Sequence, residues 1–542
     1  MGLVRAAGWG QVAIWAGLIW GAIVGGMANP VSVQAQNYET LTVSERYLVP
    51  VLTGRETVAE RSALQPKVIQ AKQNISDDAG AIQDCLKSNS ARPDNFDRFF
   101  QEYLFAEMTQ TSDANLSSLG AKRADFLRRY LSPESNGANR TYLIEEQMLP
   151  TMKRIAEGNF HPAVRLNAVL MIGIANTSEG NSLANESPAP NPACVKYLIG
   201  MLKQDQLPLY LRVGVFTGLH RIAQLEGVRP RLEQADVKEI SDSALAVAEK
   251  KFAGQETWDP DASYWLRRRA VQILGFLRNP GENGVVVNSL YTVLNDDKNE
   301  FQLRLDVIDA LSQLNYENAG LARVKDVSES VATFASQALL NQANKIRQDV
   351  EEFIAINLMS DGAFLLRGGA KRDSSGGGGK DDGRPGVGAG GLDGGGEGDS
   401  GQQDKADPNA PVFDMPNYYL NVERRACKNY VFVCQNLFSR TGKWYALATD
   451  AERSFVDKTR VVLDEVMEKS DLGLVDVNKD ENEKKETDAR EKVGVDSQQG
   501  PRKGVTFEML KLFETAGKKL KDLVNAQQKP AAENAPPGAA GT

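Results

Sequence analysis

The sequence predicts an all-α protein built around about four helical hairpins. Three observations carry this expectation. Four arginines, Arg165, Arg212, Arg267 and Arg304, recur 47, 55 and 37 residues apart. Each lies in a stripe of apolar residues spaced by four. The stripes are Val164, Ala168 and Ile172; Leu211, Val215 and Leu219; Leu266, Ala270 and Leu274; and Leu303, Val307 and Leu311. Residues four apart share one face of a helix, so each stripe needs cover. A second apolar helical pattern precedes each copy and supplies it: Met148, Met152 and Ile155; Val195, Leu198 and Leu202; Ile240, Leu245 and Ala248; and Val286, Leu290 and Leu294.

Taken in chain order, the first expected element is an export signal over residues 1–35. Arg5 precedes an apolar stretch at 12–28, and Val33, Gln34 and Ala35 read as a cleavage site after Ala35. The stretch is 17 residues, at the short end of what spans a bilayer, so an uncleaved anchor is the alternative. Residues 36–138 read as an N-terminal helical segment after an extended start. Phe96, Phe99, Phe100, Tyr103, Leu104 and Met108 recur at spacings of three and four, with Asp94 as the expected N-cap. A further helix runs through Leu119, Phe126 and Tyr130 and stops before Pro133.

The repeat domain is expected over 139–362. Its fragments resemble the HEAT-repeat family, most closely at His161, Pro162, Ala163, Val164 and Arg165 and at Leu274 and Gly275. The likeness is a turn, an aliphatic-Arg pair, a small residue three further on and a Leu-Gly-like ending, and it covers roughly 220 residues of the chain. It implies a HEAT-like alpha-solenoid. The second copy departs from the pattern, with Gly214 and Gly218 inside its helix and His220 where glycine is typical. Some HEAT-repeat proteins are enzymes that hold iron through His-Glu pairs; here Pro162 follows His161 and Arg221 follows His220, so that likeness fails.

A longer helix through Val331, Phe334, Leu339, Ile346 and Phe353 is expected to cap the stack. Residues 368–408 are a Gly-rich linker, with 16 glycines in the 34 positions 368–401. A C-terminal helical module is expected at 409–469, a charged disordered segment at 470–503, an amphipathic helix at 504–526 and a loose tail at 527–542.

Charge and composition narrow the function. The net charge is -8 and the basic residues form no long run, which argues against nucleic acid as a partner. With only His161 and His220, acid-base and metal chemistry have little to work with. Gly386, Gly388 and Gly391 fit a dinucleotide fingerprint only formally, because no strand precedes them. Asp476, Asn478 and Asp480 begin like a calcium loop, but Glu481 and Thr487 replace its essential Gly and Glu. No catalytic residue, cofactor or metal ligand is therefore assigned. The cysteines Cys85, Cys194, Cys427 and Cys434 permit two bridges. Cys427 and Cys434 are too far apart to pair if one helix holds both.

The four arginines read first as a structural ladder bonding turn carbonyls or a neighbouring acid, and second as a basic ladder for an acidic ligand. Trp258, Tyr264 and Trp265, in and after an insertion at 253–262, are the candidate partner contacts. The expectation is an exported protein-interaction scaffold in the periplasm, cell envelope or outside the cell. A membrane-attached envelope component, held by an uncleaved N-terminus or the last helix, is the second reading. An enzyme of unknown type in a flanking module is the third.

Overall fold

The computed structural model describes residues 37–50, 55, 57–132, 137–180, 186–204, 206–316, 323–368, 417–439, 442–470 and 505–528. The expected export signal, nearly all of the Gly-rich and charged segments, and the end of the tail lie outside these residues. Helix makes up 77% and strand 1% of the described residues, which are all-α. It divides into two compact units, 1–218 and 219–542.

In the first unit, residues 37–50 form an extended strap pinned to the helices behind it. Glu39 N donates to Asn159 O at 2.8 Å and Ser44 N to Glu102 O at 2.9 Å. Leu41 N donates to Thr109 Oγ1 at 2.8 Å. Helix α1 (Val58–Ser88) starts with a capping box in which Thr57 and Glu60 satisfy each other's backbone N–H. Next, α2 (Phe96–Phe99) runs through a π-helical turn, Phe100–Leu104, into α3 (Phe105–Met108). Its cap is Asn95 rather than Asp94, because Phe99 N donates to Asn95 O and the helix begins one residue later than the sequence suggested. Phe96, Phe99, Phe100, Phe105, Phe126 and Tyr130 pack here as one aromatic core, with α4 (Asp113–Tyr130) closing it.

Helix α5 (Gly137–Tyr142) also passes through a π-helical turn, Leu143–Met148, into α6 (Leu149–Glu157). Pro150 follows at once. A proline removes one intrahelical donor and crowds the carbonyl four residues back, and the widened turn accommodates it. Helix α7 (Pro162–Ile174) packs on α6 and α4, and α8 (Pro192–Leu202) packs on α7. Prolines at the first helical positions and side-chain caps from His161 and Asn191 set both starts. The insertion between α7 and α8 is closed by a two-stranded antiparallel pair, β1 (Asn176–Ser178) and β2 (Ala189–Pro190). Helix α9 (Leu209–Val228) follows.

In the second unit, α10 (Gln234–Ala248) packs on α11 (Pro260–Leu277), and α12 (Val285–Asn295) packs on α13 (Phe301–Gln313). The first helices α10 and α12 also touch each other, as do the second helices α11 and α13. This gives two hairpins side by side, each with its stripe inward: Leu266, Ala270, Leu274, Leu303, Val307 and Leu311 are all buried.

The long helix α14 (Val324–Gly368) follows these hairpins. It is itself covered by α15 (Asn417–Leu437), α17 (Asp450–Lys469) and α18 (Val505–Gln528). Phe301 of α13 stacks on Phe334 of α14 and meets Tyr430 of α15 edge-on. Trp444, in the short α16 (Lys443–Leu447), is buried and donates Nε1–H to Ser328 Oγ at 3.1 Å. The last helix turns its apolar face inward, burying Met509, Phe513, Ala516, Leu520 and Val524. At Gly517 its carbonyl accepts from Ser336 Oγ at 2.7 Å. No helix among the described residues is long and apolar enough to cross a membrane.

Candidate functional site

The last carbonyls of a helix lack intrahelical donors. The four ladder arginines supply them, each within its own hairpin. Arg165 Nε donates to Ala156 O at 2.9 Å, and Arg304 Nε to Leu294 O at 2.8 Å. Arg267 Nε donates to Ala248 O at 2.9 Å. Arg212 reaches Gln204 O, just beyond its preceding helix, at 3.0 Å. Arg267 also donates to Asn299 Oδ1 at 2.8 Å, while Asn299 in turn donates to Val293 O. Each arginine thus ties the end of a first helix to the start of the second. Burial holds the Arg267 guanidinium below its usual pKa, and Asp296 and Glu300 act against that. Arg212 and Arg267 are buried.

Second helices meet in a repeated register. A Cβ placed on Gly173 would lie 2.6 Å from the Cα of Gly218. One placed on Gly275 would lie 2.8 Å from the Cα of Ala310. Gly173 and Gly275 are each eight positions after a ladder arginine; Gly218 and Ala310 are each six positions after the next one. A second crossing repeats as well. Arg268, directly after Arg267, donates to Asp306, two after Arg304, at 2.6 Å. The same offset puts Leu166 against Gly214, 2.9 Å from where its Cβ would stand. Arg123 of α4 likewise donates to Asn167, two after Arg165. Lys122, directly before Arg123, bonds Glu107 and Asn115.

The aromatic candidates fall in two groups. Trp258 follows the 3-10 turn Gln255–Thr257 and rests on Phe252, with ring centres 5.7 Å apart. Tyr264 and Trp265 are half-buried at the start of α11, beside guanidinium groups. Arg268 lies 5.8 Å from the Tyr264 ring centre and Arg269 5.1 Å from that of Trp265. Arg268 is bound to Asp306 by a second, longer hydrogen bond at 3.4 Å. Arg269 Nη1 donates to Gln272 Oε1 at 2.9 Å and faces His220 Nε2 at 3.2 Å. Burial, reinforced by the Arg269 charge, lowers the His220 pKa to about 3. The imidazole is therefore neutral and its Nε2 is the acceptor. His220 also packs edge-on against Phe276, 5.2 Å between centres. It stands eight after Arg212, where Gly173 and Gly275 stand in their copies, and fills the space a glycine would leave.

Compared with known families, characterised proteins and solved structures, the chain finds no match. Its chemistry is therefore read from its own side chains. His161 is the cap of α7: Nδ1 accepts from Ala163 N at 3.2 Å, and Tyr38 packs on the ring 5.0 Å away. All four cysteines are buried and unbridged. Cys427 and Cys434 sit two turns apart on α15, too far to pair. Burial pushes the Cys194 and Cys434 thiols up to about 12, far from thiolate chemistry at neutral pH. Among the described residues no group of His, Cys, Asp and Glu is arranged to hold a metal ion. What the geometry does assemble is the half-buried polar and aromatic face of α11 and α13 in the second unit.

Proposed function

We propose that the chain is an exported, non-enzymatic protein-interaction scaffold whose hairpins stack as a HEAT-like alpha-solenoid. The observation that carries this reading is the shared register of the second helices. The offsets that bring Gly173 to Gly218 and Arg123 to Asn167 recur at Gly275 with Ala310 and at Arg268 with Asp306. Recurrent neighbour contacts of one geometry are how a solenoid buries faces that a single hairpin cannot. On this reading the series begins at α2 to α4, one hairpin earlier than the ladder arginines. Its working surface is the face of α11 and α13 in the second unit, where half-buried aromatic and charged side chains stand together.

Export rests on the apolar stretch at 12–28 and the site at Ala35. Mass spectrometry of the native protein should find Gln36 as the first residue. A retained N-terminus that resists salt extraction would favour the membrane-attached reading instead. The last helix lends that reading little, since its apolar face is spent on α14 and α17.

Interaction is tested by placing a photo-crosslinking amino acid at Gln272 and Gln313 on α11 and α13, with Lys238 on α10 as control. In the native host, the first two positions should give one discrete protein adduct and the control none. Equal adducts at all three, or none anywhere, would remove the scaffold reading.

A further inference from the structure

Buried cations in proteins are normally paired with an acid, because an isolated charge loses more hydration than neutral acceptors return. Arg269 departs from this. It is half-buried on α11, and its recorded hydrogen bonds go to neutral groups, Gln272 Oε1 and the His220 ring. No carboxylate lies within ion-pair distance of it among the described residues. Asp306 acts on it only through space and spends both oxygens on Arg268. The Trp265 ring flanks the guanidinium on one side at 5.1 Å. Both bonds use Nη1, which leaves the Nε and Nη2 edge of the guanidinium, and one charge, for an incoming group.

We propose that Arg269 and Trp265 form the anchor for an acidic segment of a protein partner, a carboxylate taking the Arg269 fork while the adjoining side chain packs on Trp265. This deepens the scaffold reading and rests on it. Charge chooses a carboxylate over a phosphate. Asp306 lies beside the site, and a dianion would meet its repulsion more strongly than a single carboxylate does. The fork geometry favours a planar, bidentate acceptor.

The probe is a blocked hexaglutamate peptide titrated calorimetrically into the full chain at about 0.15 M salt, a Debye length near 8 Å. Hexalysine and inorganic phosphate serve as comparisons. Saturable binding of hexaglutamate alone is expected. R269Q should weaken it at least tenfold, R269K and W265A several-fold, and K238Q not at all. Circular dichroism checks that each variant is folded; should R269Q not fold, R269K and W265A carry the test. The assignment is overturned if hexaglutamate does not saturate, if the Arg269 and Trp265 variants bind as well as the wild type, or if phosphate competes at one equivalent. Adducts at Gln272 without a hexaglutamate site would sink this assignment alone. A hexaglutamate site without adducts would sink the scaffold and leave a peptide-binding patch.

Discussion

Gly173 and Gly218 meet backbone to backbone, with no room for a methyl group between them. The equivalent crossing at Gly275 has Ala310 opposite. Relief would require a helix to shift, and overpacking of this kind costs about 1–3 kcal/mol. G173A and G275A should therefore each lower the thermal midpoint, and G173V more so. Gly200, with open space around its Cα, is the control. G200A should be neutral or stabilising by up to about 1 kcal/mol, since alanine suits a helix better. Differential scanning calorimetry of the three alanine variants reads this. Equal melting of G173A and wild type would show that the register is loose.

The ladder arginines should behave as staples of unequal value. Arg267 is buried and serves both Ala248 O and Asn299 Oδ1, so R267A leaves two buried acceptors unmet and should cost about 2–4 kcal/mol. Lysine lacks the fork and should recover little of that. Arg165 is more exposed and makes one recorded bond to a carbonyl, so R165A should cost about 1 kcal/mol. Urea melts of both variants rank them, and the reverse order would be inconsistent with the hydrogen bonding.

Acid stability should show two separate windows. His220 has a folded pKa near 3 against an ordinary 6.5, so the unfolded chain binds its proton first. Its contribution is complete above pH 6.5 and shrinks as pH falls from there toward 3. Asp78 acts lower. Burial alone would raise its pKa, but hydrogen bonds from Arg46, Tyr47 and Asn95 outweigh it and hold it below 3.8. Its stabilisation is present above 3.8 and is lost as pH falls through the folded value. In melting curves against pH, H220Q should flatten the decline between 6.5 and 4, and D78N should flatten only the part below 4. A single shared window would contradict both assignments.

Thiol chemistry gives a direct check of the core. The native chain should show no rapid reaction with a disulfide reagent at neutral pH, because Cys85, Cys194, Cys427 and Cys434 are buried. Unfolding in guanidinium should release four thiols without any reductant. Fewer than four would mean that a bridge forms.

The helical character was legible because an inward stripe must recur every turn or so, and Ala270 and Leu274 could only belong to a helix face. The packing around α4 was not, because aromatic rings replace the aliphatic stripe there. Trp258, Tyr264 and Trp265 could be listed from the sequence, but their neighbours could not. That Arg269 would lie against His220, 49 residues away, depends on how two helices cross. The amphipathic pattern of α18 announced a covered face without naming its cover. Docking on α14 leaves no local trace, since Ser336 and Gly517 are 181 positions apart.

That separation has a consequence for synthesis. Chains grow at roughly 5–20 residues per second, so the strip of α14 around Ser336 and Leu340 waits roughly ten to forty seconds before Gly517 is even made. Through that interval the face of α14 that α18 will cover stays open to solvent, while its other contacts can already form. Messages cut short before codon 505 would release chains with that strip permanently bare, and such products should be rapidly aggregated or degraded.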